Sequence, residues 1–147
     1  MEKIEPSRSI GRWVGLIHRY SQAYYVREME RLGIGSGQAV YLAELSHMGG
    51  LSQDELAKHL MLDKTTITRS LAKLESLGYI ERKADKEDRR IKRVYLSEEG
   101  EQILPQVMEV LHGWTEILAE SLSPDERDEL IRLLHKVGES AKNEHKR

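Results

Sequence analysis

The chain has 147 residues, of which 39% are hydrophobic and 33% charged, with a formal net charge of −2, which suits one globular domain or two small lobes sharing a core. It has no apolar run near the ~20 residues that cross a bilayer and no apolar segment typical of a signal peptide, so we expect a cytoplasmic protein. Cysteine is absent, which excludes disulfides and thiol-based redox sensing.

Two helices are predicted before residue 50. The first runs from Ser9 to about Leu32, where apolar residues recur at helical spacing. The glycine-rich segment 33–37 then ends this helix and lets Ser36 or Gly37 cap a second helix, which extends to about His47. No strand precedes these glycines and their spacing matches neither the dinucleotide-binding nor the P-loop motif, so they do not predict a nucleotide site.

The next segment predicts a helix-turn-helix. Ser52 and Glu55 form a capping box that starts a short helix, and Asp63 is the N-cap of a second helix over about 63–77. The spacing of apolar residues along this second helix places them on one face, which is expected to be buried. Its outer face is polar and basic and carries Thr65, Thr66, Thr68, Arg69 and Lys73. Such a face suits a helix in a DNA major groove, although an ordinary amphipathic surface helix is divided in the same way.

A charged hairpin is predicted after Gly78, over about 80–96. Strand-like alternation in 79–83 and 92–96 brackets a tip in which residues 82–93 include seven basic and three acidic side chains, a net of +4. Because the whole chain is net negative, this positive charge is local. A local basic projection beside a helix-turn-helix predicts contact with phosphate, the alternative being a solvated loop.

Two long helices are predicted at the end of the chain. The first spans Ser97 to about Leu122, with Pro105 tolerated if the helix begins late or bends. The second opens at Ser123, which forms a capping box with Glu126. The terminal helices are too apolar to be explained by covering a small lobe. We therefore expect the first and last helices to pair with those of a second chain, the alternative being a monomeric helical bundle.

Five ordered segments, 51–57, 63–69, 74–80, 85–90 and 95–100, resemble the MarR family of bacterial and archaeal transcription regulators. The most specific is the wing signature Asp, any residue, Arg, which Asp88 and Arg90 meet. The resemblance implies that Arg90 enters the minor groove and that Asp88 orients the wing through an arginine on the wing or on the recognition helix. It implies a mainly α fold in which a winged helix-turn-helix, residues 35–97, lies between dimerisation helices in 1–34 and 98–147.

The expected function is that of a sequence-specific, homodimeric DNA-binding regulator, which in this family is most often a repressor. Its operator would be a pseudo-palindrome with half-sites roughly 34 Å apart. On the outer face of the recognition helix, Arg69 is the best candidate for a bidentate contact with guanine. Phosphate contacts are expected from Lys64, Arg89, Lys92 and Arg93. A nonspecific architectural DNA binder and a winged-helix protein-interaction module are the rival interpretations.

The resemblance also implies a small anionic aromatic effector between the dimerisation helices and the DNA-reading lobe. Suitable aromatic and cationic groups are Arg19, Tyr20, Tyr24, Arg27, Tyr41, His47, His112 and Trp114. Metal-responsive relatives use residue types like those of Glu44, His47 and His112, but such residues are commonplace on surfaces, and we expect no resident metal or cofactor. No nucleophile, base and orienting group can be assembled, so an enzyme is not expected.

Overall fold

The computed structural model describes residues 3, 5–35 and 37–146, and in this part of the chain helices surround a small antiparallel sheet. After a short 3-10 turn at Pro6–Arg8, the elements are α1 (Ile10–Glu30), α2 (Ala39–His47), β1 (Leu51–Ser52), α3 (Gln53–Leu60), α4 (Lys64–Ser76), β2 (Ile80–Ala84), β3 (Lys92–Leu96), α5 (Glu98–Leu118) and α6 (Pro124–His145). The mainly α class with a hairpin wing is confirmed.

Five of the six predicted helix starts are confirmed, and short polar side chains cap them, at Ser9, Ser52, Asp63, Ser97 and Ser123. Ser9 accepts a hydrogen bond from the Arg12 amide, and Asp63 accepts one from the Thr66 amide. Both predicted capping boxes form, at Ser52 before α3 and at Ser123 before α6. Each cap contributes about 1 kcal/mol to the helix that it begins.

The structure adds to or corrects the sequence interpretation at three points, of which the cap of α2 is a wrong prediction. Helix α2 begins at Ala39, after a turn in which the Gln38 amide donates to Gly35, and its N-cap is Gln38 rather than Gly37; Ser36 lies outside the described residues. Helix α5 begins directly after Ser97, as predicted, and contains Pro105, so of the two conditions named for this proline the late start does not apply. Strand β1 was missed, since two residues are too few to show an alternating pattern.

The sheet has the order β1-β3-β2. Val94 in β3 lies opposite Leu51 on one side and Arg82 on the other. One hydrophobic core joins this sheet to helices α1 to α5, with α1 contributing Met29. The predicted inner face of α4 is confirmed, since Ile67, Leu71 and Leu74 are fully buried. Burial of each such side chain contributes about 1.5–3 kcal/mol, so α4 is held firmly with its opposite face outward.

The junction between β3 and α5 is fixed at its backbone. Ser97 donates its amide hydrogen to the Tyr79 carbonyl and its hydroxyl to the Gly78 carbonyl, and its oxygen caps α5 at Gly100. A Cβ atom at Gly100 would lie well inside van der Waals contact with the Tyr79 carbonyl oxygen. Only glycine therefore fits where α5 leaves the sheet.

Helices α1 and α6 present large apolar side chains to solvent in the single chain. No residue of α6 is buried, and Leu134 is 50% exposed. We call nine of their exposed apolar residues the apolar terminal face: Ile10, Trp13, Val14, Ile17, Leu130, Ile131, Leu133, Leu134 and Val137. None of the helices in the described part of the chain has the length and apolarity of a membrane span.

Candidate nucleic-acid interface

Three exposed side chains of α4 form a single row. Thr65, Arg69 and Lys73 are spaced four residues apart, so they follow one another along one face of the helix. Within the described part of the chain, none of the three side chains has a hydrogen bond or an ion pair. Their hydrogen-bond donors are therefore free to contact another molecule, and we call these three side chains the reading row.

The other predicted contacts on α4 already have partners within the chain. The Thr66 hydroxyl donates to Asp63 at 2.8 Å, and its amide donates to the same carboxylate, which lowers the pKa of Asp63. Lys64 pairs with Asp54 at 3.4 Å on the surface. The Thr68 hydroxyl lies 2.7 Å from the Lys64 carbonyl and 2.6 Å from the Gln53 amide nitrogen.

Arg82 fixes α4 to the rest of the lobe, a role that the sequence did not reveal. Its Nε donates to Glu75 of α4 at 2.8 Å, and its terminal nitrogen donates to Gln53 of α3 at 3.1 Å. These partners lie 7 and 29 residues away in the chain, so no local pattern predicts them. Arg82, one of the seven basic residues counted for the hairpin, thus forms its contacts within the lobe.

The hydrogen-bonding partner of Asp88 lies on the wing and is Arg90. Its carboxylate accepts from Nε and from a terminal nitrogen of Arg90, both at 3.0 Å, and from the Arg90 amide at 3.1 Å. These hydrogen bonds lower the pKa of Asp88. The Arg90 side chain is 90% exposed, and an exposed ion pair of this kind is worth little, so its guanidinium can exchange partners.

Asp85 and Arg93 hold the base of the wing. Arg93 donates to Asp85 at 2.7 Å and to the Gly50 carbonyl at 2.8 Å. Asp85 also accepts from the amides of Glu87 and Asp88, and together these hydrogen bonds, that of Arg93 foremost, lower its pKa to about 2. Asp85 was missed by the sequence interpretation. The guanidinium of Arg93, expected on phosphate, has another role here, whereas Arg89 and Lys92 are exposed.

Replacing Asp85 with asparagine should destabilise the fold in a pH-dependent way. Its pKa in the folded chain, about 2, is below its ordinary value of 3.8, so the ionised carboxylate stabilises the fold above about pH 4. That contribution is lost as the pH falls toward 2. We expect Asp85→Asn to lower the urea midpoint at pH 7 and the difference from the parent chain to shrink between pH 4 and pH 2.

Circular dichroism during urea titration at pH 7, 4 and 2.5 measures this difference. Glu87→Gln is the matched control, since it removes the same charge from an exposed side chain of the same hairpin. A stability difference for Asp85→Asn that is equal at all three pH values would contradict the assignment.

Comparison with known proteins identifies the family to which this chain belongs. The MarR family model matches residues 34–92. A solved MarR transcriptional regulator from Methanosarcina mazei Go1 is 36% identical and superposes with a TM-score of 0.81, over 90% of this chain and 95% of that one. The chain belongs to the MarR family.

Two further relatives extend the comparison. The HTH-type transcriptional regulator BilQ from Clostridium symbiosum is 30% identical over 77% of this chain and 78% of its own length. A putative MarR family transcriptional regulator from Listeria monocytogenes, solved in complex with a 26mer DNA, superposes with a TM-score of 0.87 at 26% identity, over 93% of this chain and 91% of that one. This MarR-family chain is a DNA-binding transcriptional regulator.

Three of the eight predicted effector residues of this MarR-family chain come together. The Tyr24 ring stacks on Trp114 with centroids 4.8 Å apart, and the Arg27 guanidinium lies 5.4 Å from the Tyr24 centroid. Tyr25, which the sequence interpretation missed, packs edge-on against both rings. We call Tyr24, Tyr25, Arg27 and Trp114 the aromatic cluster.

The other predicted effector residues lie elsewhere. Tyr41 is 1% exposed in the core of the DNA-reading lobe, so the prediction that it lines an open cleft is wrong. The remaining four are exposed, and no described contact joins them to the aromatic cluster: Arg19, Tyr20, His47 and His112.

The three residues that the sequence offered as a possible metal site, Glu44, His47 and His112, do not come together in the structure. Glu44 pairs with His59 of α3 instead of meeting His47 and His112. Among the described residues, no three histidine or carboxylate side chains are placed to hold a metal ion together.

Proposed function

We propose that this chain acts as a homodimeric repressor that binds a pseudo-palindromic operator. The observation that carries the proposal is the reading row of α4, whose polar and cationic side chains are free and lie on the same lobe as a wing with exposed Arg89, Arg90 and Lys92. A helix with free donors beside a basic projection matches the two grooves of a duplex.

The side chains divide into readers and anchors. Arg69 offers two parallel donors to the N7 and O6 acceptors of guanine, while Thr65 and Lys73 flank it in the major groove. Lys64, Arg89 and Lys92 neutralise phosphates. The Arg90 guanidinium leaves Asp88 and enters a narrow A·T-rich minor groove, whose negative potential attracts it. Arg82 and Arg93 hold the lobe together and do not contact DNA.

The apolar terminal face supports a homodimer. The exposed Leu, Ile, Val and Trp side chains on these two helices are more than a monomeric surface needs, which favours an interaction surface. A two-fold axis buries the same face of both copies at once. The two recognition helices would then address half-sites roughly 34 Å apart.

The aromatic cluster supports a small anionic aromatic effector that releases the operator. It joins α1 to α5, the helix that leaves the wing sheet, and it combines stacked rings with a cation. A ligand of this chemistry stacks on the rings and pairs with Arg27 in place of Glu28, which accepts from Arg27 Nε at 2.8 Å. It shifts the dimer toward the DNA-incompetent spacing only by the difference in its affinity for the two spacings.

Selection of genomic fragments by the purified protein at about 150 mM salt tests the proposal, because nonspecific binding is weak there, ~10⁻⁴–10⁻⁶ M. We expect a few inverted repeats, and derepression of a reporter controlled by them when the protein is removed. Uniform recovery would indicate an architectural DNA binder. No recovery would indicate a protein-interaction module.

A further inference from the structure

A chain of hydrogen bonds runs from the sheet to the outer face of the recognition helix. Glu75 accepts from Arg82 at 2.8 Å, and Arg82 donates to the Gln53 carbonyl oxygen at 3.1 Å. The Gln53 amide nitrogen lies 2.6 Å from the Thr68 hydroxyl, which lies 2.7 Å from the Lys64 carbonyl. This series of hydrogen bonds reaches the outer face of α4 at Thr68, which is exposed and precedes Arg69.

The direction of every hydrogen bond in this chain is determined. A guanidinium has donors only, so the Gln53 oxygen must face Arg82 and the Gln53 nitrogen must face Thr68. That nitrogen is a donor, which makes the Thr68 oxygen an acceptor. The hydroxyl hydrogen of Thr68 therefore goes to the Lys64 carbonyl, and Thr68 has no donor left for DNA.

This loss of the donor restricts what Thr68 can recognise. Purine N7, guanine O6 and thymine O4 all require a donor in the major groove, and Thr68 cannot supply one. Its side chain still has a methyl group, which can contact the C5-methyl group of thymine. Given the operator binding proposed above, we propose that Thr68 is a specificity-determining residue that reads one thymine per half-site through its methyl group, with Gln53 and Arg82 as positioning residues.

Replacing thymine with deoxyuridine tests this proposal, since the two bases differ only in the C5-methyl group. Each thymine of the selected operator is replaced in turn, at the same position in both half-sites, and affinity is measured by fluorescence anisotropy. For the parent chain we expect one position at which the replacement weakens binding about fourfold per half-site, as for one buried methyl group. The other thymines should show smaller effects.

Three variants identify the residue responsible. Thr68→Ser keeps both hydrogen bonds and loses the methyl group. Its affinity for the thymine operator should therefore equal the affinity of the parent chain for the deoxyuridine operator. Replacing thymine with deoxyuridine should not lower the affinity of this variant further. Thr68→Val keeps a methyl group and should retain the deoxyuridine effect. Thr65→Ser, the same change one turn earlier on α4, should also retain it.

The opposite pattern would overturn the inference. If Thr68→Ser binds like the parent chain while Thr68→Val loses preference at one base pair, the hydroxyl is the reader. A deoxyuridine effect that persists in Thr68→Ser assigns the thymine to another residue. Both results leave the proposed function intact, whereas fragment selection that yields no preferred sequence overturns the proposed function and this inference with it.

Discussion

Leu134→Asp is expected to convert the proposed homodimer into a monomer and to weaken operator binding by about 10²–10⁴-fold. Leu134 lies on the apolar terminal face, in line with Leu130 and Val137 on α6. An unpaired carboxylate there would have to be buried without a partner, which opposes association. Each lobe would then bind its half-site alone, and the gain from linking two binding events, about 10²–10⁴-fold, would be lost.

Sedimentation velocity and fluorescence anisotropy with the full operator measure the two effects on the same samples. Asn143→Asp is the matched control, because it adds the same charge to an exposed polar position of α6. It should remain dimeric and bind normally. A Leu134→Asp variant that sediments as a dimer would mean that the chains associate through another surface.

Arg69→Ala is expected to abolish the preference for one guanine in each half-site. A bidentate contact of this kind contributes ~1–3 kcal/mol of discrimination, which corresponds to about 5- to 150-fold for each half-site. The guanidinium of Arg69 has no intramolecular partner among the described residues, so its removal should leave the folded lobe unchanged. Competition between operators that carry each base at that position measures the preference.

Arg89→Ala serves as the control for charge. Loss of this phosphate contact should weaken binding to all sequences alike and lower the slope of log affinity against log salt by about 0.9 for each half-site. Full retention of base preference in Arg69→Ala would show that another face of α4 reads the operator.

Local signals in the sequence predicted the framework of the lobe. Ser52, Asp63 and Ser123 cap helices with partners three residues away, and the apolar spacing of α4 identifies its buried face. These interactions are short in sequence, so composition and spacing show them directly. The same holds for the wing motif, in which Asp88 and Arg90 are two residues apart.

The partners of Arg82 and Arg93 could not be predicted in this way. Both arginines look like surface cations in a basic hairpin, yet each holds residues from distant parts of the chain. Tyr41 shows the same limit, because an aromatic residue at helical spacing fits an open cleft as well as a core. Which basic residue faces outward depends on where the strands place it, and only the folded lobe determines that.

The contact between Gly100 and the Tyr79 carbonyl has a consequence for how such chains diverge. Any side chain at position 100 would push the start of α5 away from the sheet and so alter how α5 is placed relative to the wing. Related chains that keep this junction should therefore keep glycine at this position while the residues around it vary. An alignment that shows alanine or a larger residue there would identify relatives in which the lobe is attached at a different angle.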